Sequence, residues 1–316
     1  MVEADLNWPP FPLKPRIKYI RSIAMPSDIA IKEGKGWLGR AFDYLTGGSL
    51  LEGTPISAPY GLFFDSDKKT LYVADRARKG IHLYDLSKGK AETLEAVAGE
   101  VFEMPVAVAV SGDRIYVSDS GFKKLLILDL EGNLLKEIDR WERPGGIAIS
   151  KDEKRLYVVD VLACRIKVFD AEGNFLFDFG SKGEKAGEFN LPSNIWVDAS
   201  GKIYVTDSMN FRVQIFDESG KHIISIGKLG DSPGYLARPR GVAVDSEGHI
   251  YIVDAVFDNV QIFNPDGQLL LFFGGSGRGP GEFYLPSGIF IDEKDRIYIS
   301  DSYNRRIQVF QYLKEE

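Results

Sequence analysis

Cysteine is almost absent from this chain: Cys164 is the one example in 316 residues, so no disulfide can join two of its segments. Histidine is nearly as scarce, with His82, His222 and His249 the full set, which leaves little material for an imidazole-rich metal or acid–base site. No run approaches the roughly 20 apolar residues of a membrane-spanning helix. There is no excess of positive charge either. Lys and Arg number 39 against 46 Asp and Glu, a net charge of -7 that speaks against wholesale nucleic-acid binding. The first residues, Met1-Val2-Glu3-Ala4-Asp5, lack the apolar core of a signal peptide, so none is expected; a signal already removed would leave the same picture. Scarce cysteine suits the cytosol and a large exported domain equally.

What is present is enough to fold. The chain is 44% hydrophobic and 27% charged, ordinary for a globular protein. Its length admits two average domains or one large all-β domain. Internal repetition decides between them. A short apolar run ending in aspartate recurs six times: LYVAD to Asp75, IYVSD to Asp119, LYVVD to Asp160, IYVTD to Asp207, IYIVD to Asp254 and IYISD to Asp301. The spacings are 44, 41, 47, 47 and 47 residues, the period of a propeller blade rather than of a helical solenoid.

Each copy has four parts. A proline opens the first (Pro59, Pro105, Pro144, Pro192, Pro239, Pro286), followed by an apolar stretch such as GVAV at 241–244. A polar turn leads into the run ending in Asp. A third run alternates, as in RIKVFD at 165–170 and RVQIFD at 212–217, and a Gly-containing turn leads to a fourth, FLFDFG at 175–180 or LLLFFG at 269–274. β-Branched and aromatic runs punctuated by Gly, Asp, Asn and Ser are the signal of strands in hairpins. Four short strands cannot bury both faces of their own sheet, but six such sheets around an axis bury them against each other. The expected fold is therefore all-β: a six-bladed β-propeller of four-stranded antiparallel blades. The last copy stops after its third strand at residues 306–312. Residues 16–23 are expected to supply the missing outer strand and close the ring. One propeller domain over 1–316 is expected, with a closing strand at 16–23, an insertion at 24–58 and six repeats at 59–312.

These repeats resemble NHL repeats. The fullest copies run from Gly187-Glu188-Phe189-Asn190-Leu191-Pro192 to Asp217 and from Gly281-Glu282-Phe283-Tyr284-Leu285-Pro286 to Phe310, and the resemblance covers 59–312. It implies the six-bladed fold, which hosts binding proteins and enzymes alike. Residues 15–23 also resemble the start of bacterial exported NHL-repeat proteins, which implies an extracytoplasmic location in preference to a cytoplasmic one.

Function is sought where the repeat is broken. The largest departure is 24–58. Met25-Pro26-Ser27-Asp28-Ile29 echoes Leu191-Pro192-Ser193-Asn194-Ile195, as a relic of a first strand would. Beyond it, Trp37, Leu38, Ala41, Phe42 and Leu45 share one face of a short amphipathic helix ended by Gly47-Gly48. Such a helix covers an apolar gap or lids a ligand. The insertion joins an outer strand to an inner one, so it shares a face with the loops that follow the six aspartates. Those loops carry Phe122, Leu162, Met209, Phe211, Val256, Phe257 and Tyr303, large and apolar where solvent favours polar residues. With Tyr60 and Arg240 at the mouths of inner strands, they form the candidate binding surface for a protein, a peptide or a small molecule. Packing against the insertion would explain them equally.

Catalytic chemistry is weaker. One Asp per blade reads as a strand-end carboxylate that accepts loop amides or pairs with a following Arg, as Asp207 with Arg212, rather than as a metal ring. Asp65, Asp198, Asp245 and Asp292 read as turn residues on the opposite face. Some NHL-type propellers are zinc-dependent lyases with inner-strand histidines; His82, His222 and His249 fall elsewhere, so no such zinc site is expected. Calcium lactonase propellers use inner carboxylates and amides, and of the inner positions here Asn194 alone suits that ion, with Asp28 a further donor if the insertion folds inward. No metal and no cofactor are assigned. Cys164 has no histidine near it in sequence. The main expectation is a non-enzymatic binding scaffold. A hydrolase or lyase using Tyr60, Asn194, Arg240 and Asp28 at the central opening is the alternative. RNA held by Arg76, Arg78, Lys79, Lys123, Lys124, Arg305 and Arg306 is the third, disfavoured by overall acidity.

Overall fold

The computed structural model describes residues 6–10, 12–30 and 53–314. The amphipathic helix expected at 36–45 lies outside the described residues. Six sheets stand around a central axis, and each runs from an inner strand to an outer one through neighbouring antiparallel pairs. Blade one consists of Pro59–Asp65, Thr70–Asp75, Gly80–Asp85 and Lys90–Leu94. The inner strands of blades two to six are Pro105–Ser111, Pro144–Ile149, Pro192–Val197, Pro239–Val244 and Ile289–Ile291. Proline opens five of the six inner strands, where it surrenders no ladder hydrogen bond. In blade six the strand starts three residues after Pro286.

The ring closes with both chain ends. Blade six takes its outer strand from Ile17–Ile23, which pairs with Arg306–Tyr312 in the register Ile17 to Tyr312 and Ile23 to Ile307. A further short strand, Asn7–Trp8, lies outside Ile17–Ile23 and was not expected. Residues 26–28 form a 3-10 turn instead of a relic strand, because Asp28 folds back to accept the amides of Ala24 and Met25 at 2.7 and 2.9 Å.

The second strands are continuous buried runs, and successive side chains point to opposite faces, so each sheet is apolar on both faces and each face needs a neighbour. The core is accordingly divided into six clusters, each shared by two adjacent blades. Tyr157, Val159 and Val168 of blade three pack with Ile203, Val205 and Phe216 of blade four. Leu71, Val73 and Tyr84 of blade one pack with Tyr298, Ile307 and Val309 of blade six, across the seam where the chain ends meet.

The inner strands approach each other closely at their third residue. A Cβ on Gly61 would lie 2.5 Å from the Val106 carbonyl oxygen, and one on Gly288 would lie 2.2 Å from that of Tyr60. Glycine is needed there because the neighbouring backbone occupies the place of a side chain.

Candidate functional site

The two faces of the ring are built from different parts. On one face lie the loops between second and third strands and the links between blades. On the other lie the turns between first and second strands.

The loop face is organised by the six repeated aspartates, all 0–1% exposed. Asp119 accepts the amides of Glu103 and Met104, both at 2.9 Å, and those of Gly121 and Phe122 at 2.9 and 3.1 Å. It thus ties the incoming link and the outgoing loop to one buried carboxylate. Asp75 and Asp254 act alike. Asp207 and Asp301 keep one link amide each, from Asn190 at 2.7 Å and Tyr284 at 2.9 Å, and add a guanidinium, Arg212 at 2.9 Å and Arg306 at 2.8 Å. These carboxylates pin loops. They are charge-assisted acceptors whose removal would leave several buried donors unpaired.

The six loops share one backbone feature. The last residue of each (Lys79, Lys123, Cys164, Phe211, Asp258, Arg305) has a left-handed φ between 49° and 57°. The second residue of each is the tip. In blades one and two it is Ala77 and Gly121; in blades three to six it is Leu162, Met209, Val256 and Tyr303, which are 46%, 45%, 52% and 64% exposed. Tyr303 stands against exposed Tyr284, ring centroids 5.2 Å apart. Of the expected surface, Phe122, Phe211 and Phe257 are half-buried within their loops. The structure thus places Leu162, Met209 and Tyr303 at equivalent tips along an arc and sets the three phenylalanines back from it. None of the turns joining first to second strands on the opposite face carries an exposed large apolar residue among the described residues.

Tyr60 and Arg240 do meet. The guanidinium of Arg240 in blade five donates to the Tyr60 hydroxyl of blade one at 3.0 Å, reaching past blade six at the loop-face end of the channel. Arg76 lies 4.8 Å above the same ring. Basic residues fill the sector where the apolar arc is missing: Arg76, Arg78 and Lys79 in blade one, Lys123 in blade two. Arg78 lies 3.9 Å from Glu95, and two other members of the expected basic set are committed elsewhere. Lys124 pairs with Glu137 at 2.9 Å, and Arg306 holds Asp301 and two carbonyls.

Of the residues of the hydrolase or lyase alternative, two meet and two lie apart in other contacts. Tyr60 and Arg240 bond each other, Asp28 bonds its own turn, and Asn194 lines the channel. Among the described residues no group of three His, Cys, Asp or Glu side chains is arranged to hold a metal. Cys164 is buried, its thiol 3.7 Å from the Val161 carbonyl. His82, His222 and His249 lie in three different blades.

On the turn face, Asp65, Asp198, Asp245 and Asp292 each accept amides two to four residues ahead. Second-strand tyrosines reach three of them: Tyr204 donates to Asp198 at 2.8 Å and Tyr251 to Asp245 at 3.0 Å, and Tyr298 to Asp292 at 3.3 Å. Burial first, and the adjacent carboxylate second, pushes these hydroxyls well above the ordinary phenol range. The Tyr72 hydroxyl is likewise pushed up to about 12 by burial and then by Asp65 and Asp85. None can serve as a base near neutrality.

Sequence reasoning did not find the inner-strand aromatics Phe63, Trp196 and Phe290, which line the channel. The signal was available in the aligned first strands GLFFD, NIWVD and GIFID, set against AVAVS, GIAIS and GVAVD.

Comparison with known proteins agrees with this architecture. Residues 199–258 and 244–314 match a family model described as 6-bladed beta-propeller. Residues 108–227 match one described as SMP-30/Gluconolactonase/LRE-like region. Antigen Lp49 of Leptospira interrogans is 30% identical over 124 residues, covering 37% of this chain. The chain spans about a quarter of that relative, 26% of its length. An auxiliary nutrient binding protein from Bacteroides thetaiotaomicron superimposes with a TM-score of 0.64 at 18% identity, covering 82% of this chain and 70% of the other. Virginiamycin B lyase from Staphylococcus aureus gives 0.59 at 16% identity, covering 81% and 96%. At such identities the likeness is one of fold, and the fold is that of a six-bladed β-propeller.

Proposed function

We propose that this six-bladed propeller is a non-enzymatic binding protein whose loop face takes a protein or peptide segment. The partner lies along the arc of blades three to six and sets an acidic end against Arg76, Arg78, Lys79 and Lys123. One observation carries the reading. The same pinned loop position holds Leu162, Met209, Val256 and Tyr303 in four consecutive blades, each exposed. Ring closure does not require large apolar side chains there, since Ala77 and Gly121 occupy the position in blades one and two. Each is about half-exposed, so a partner that covers them gains about half of the roughly 1.5–3 kcal/mol that full burial of such a side chain is worth. Loops fixed by buried carboxylates lose little freedom on binding. The apolar tips spread over four blades, which suits a segment rather than a small molecule.

Selection from a displayed random-peptide library tests this. Peptides with two or more apolar residues and a flanking acidic stretch should be enriched on the wild type, and should be lost on a variant carrying Leu162→Ser, Met209→Ser, Val256→Ser and Tyr303→Ser together. These side chains are exposed, so the variant should melt as the wild type does. Selected peptides that bind both proteins equally would remove the proposal.

A further inference from the structure

The channel between the inner strands holds a second candidate site, on the face away from the loops. It is a cavity of about 730 Å³, lined from Gly61, Gly146 and Gly288 outward to the first turns. That volume falls within the roughly 300–1,000 Å³ usual for small-molecule sites.

Its lining breaks the symmetry of the ring. Counted from the opening proline of each repeat, the fifth residue, paired with a tyrosine of the second strand, is Phe63, Ala109, Ala148, Trp196, Ala243 and Phe290 in blade order. Trp196 of blade four reaches past Ala243 to Phe290, ring centroids 5.3 Å apart, and Phe290 meets Phe63 at 4.9 Å. The three rings form a continuous aromatic wall on one side of the channel. Ala109 and Ala148 keep the other side open. All three rings are half-buried, so they keep apolar area in reserve. Such surface gains by stacking with a flat molecule.

The lip is acidic. The cavity lining includes eight Asp and Glu residues against two lysines, Lys68 and Lys151. Lys68 is held by Asp65 at 2.9 Å, and Lys151 of blade three pairs with Glu293 of blade six, on the opposite side of the ring. Two further cations behind the lip, Arg296 on Asp292 and Lys314 on Asp295, leave a negative excess. Low-dielectric walls focus such a field into the cleft, favouring cations and excluding anions.

We propose that this cavity binds a flat organic cation, its ring stacked on Phe63, Phe290 and Trp196 and its ammonium group at the acidic lip, where it competes with Lys151 for Glu293. The site is independent of the loop-face partner.

Titration calorimetry with tryptamine, and with indoleacetate as the same ring carrying the opposite charge, decides the matter. Tryptamine should bind one to one, weaken as salt rises, and bind at least about tenfold more tightly than indoleacetate. Trp196→Leu and Phe290→Leu should each weaken it by about tenfold. Lys151→Ala, an exposed substitution that removes the competing cation, should tighten it. Because that variant predicts a gain, a folding defect cannot imitate it. Absence of saturable tryptamine binding, equal affinity for indoleacetate, or unchanged binding in both leucine variants would each overturn the proposal.

Discussion

The carboxylate of Asp75 lies 3.2 Å from Nε2 of His82, and both side chains are shut away from solvent. Nδ1 of the same ring is 3.1 Å from the Thr93 hydroxyl, which gives the chain of groups the outline of a catalytic relay. The repeat shows otherwise. Seven residues after the blade aspartate, blades four and six carry Gln214 and Gln308, which donate to Asp207 and Asp301 at 3.0 Å. Blade three carries Lys167, 2.9 Å from Asp160. His82 is this blade's version of a buried donor that holds the aspartate.

Replacing His82 by Gln should therefore leave stability within about 1 kcal/mol of wild type, whereas His82→Ala should cost about 2–4 kcal/mol by stranding a buried carboxylate. Urea unfolding measures both. Equal losses in the two variants would show that the ring, not the donor, matters at this position.

Acid should unfold the protein. Burial pushes the Asp75 carboxyl up, but the His82 hydrogen bond and three backbone amides outweigh it and hold the group below the usual carboxylate range. Asp85 and Asp170 are lowered in the same sense, with hydrogen bonds from their turns outweighing burial. A carboxylate whose folded pKa is depressed stabilises the native state above its unfolded value, near about 4, and loses that contribution as pH falls through the folded value. Asp301 has the opposite sign, since burial raises it against its hydrogen bonds. The lowered carboxylates are the more numerous, so chemical-denaturation midpoints should be flat from about pH 8 to 7 and fall steeply below about 4; a slight earlier decline should come from His222, which burial and then Arg212 make harder to protonate in the folded state. A midpoint that rises on acidification would contradict this.

Removing residues 1–23 should destabilise the whole ring, not blade six alone. Ile17 and Ile23 are fully buried, and Tyr19 meets Phe310 edge-on at 5.6 Å. Loss of this strand uncovers the edge at Arg306–Tyr312 and one wall of two inter-blade clusters. A melting curve unchanged by the truncation would refute closure by this strand.

Gly288→Ala should cost about 1–3 kcal/mol or more, because its Cβ would meet the Tyr60 carbonyl oxygen at 2.2 Å, a backbone atom with no rotamer to change. Gly275→Ala is the control, since nothing lies within 4 Å of the added carbon. Comparable destabilisation of both would mean that backbone freedom, not close approach, explains Gly288.

Much of this was legible in the chain itself. Six runs ending in Asp set the number of blades, the alternation within RVQIF set the third strands, and an incomplete last copy pointed to residues 16–23. Those signals are local and periodic, and backbone pairing obeys them directly. The loop-face residues were legible as a set but not as a surface. Phe211 and Phe257 read as exposed, yet both are half-buried: Phe211 is itself the left-handed residue that ends its loop, and Phe257 stands directly before one, Asp258.

Sequence alone thus determined the repeating sheet, its count and its closure, because strand period and turn chemistry act between near neighbours. Which side chains stand out as loop tips, and which three aromatic rings meet in the channel, was decided only by the closed ring. Trp196 and Phe290 touch because two blades with a third between them converge on one axis, a distance that no separation along the chain encodes.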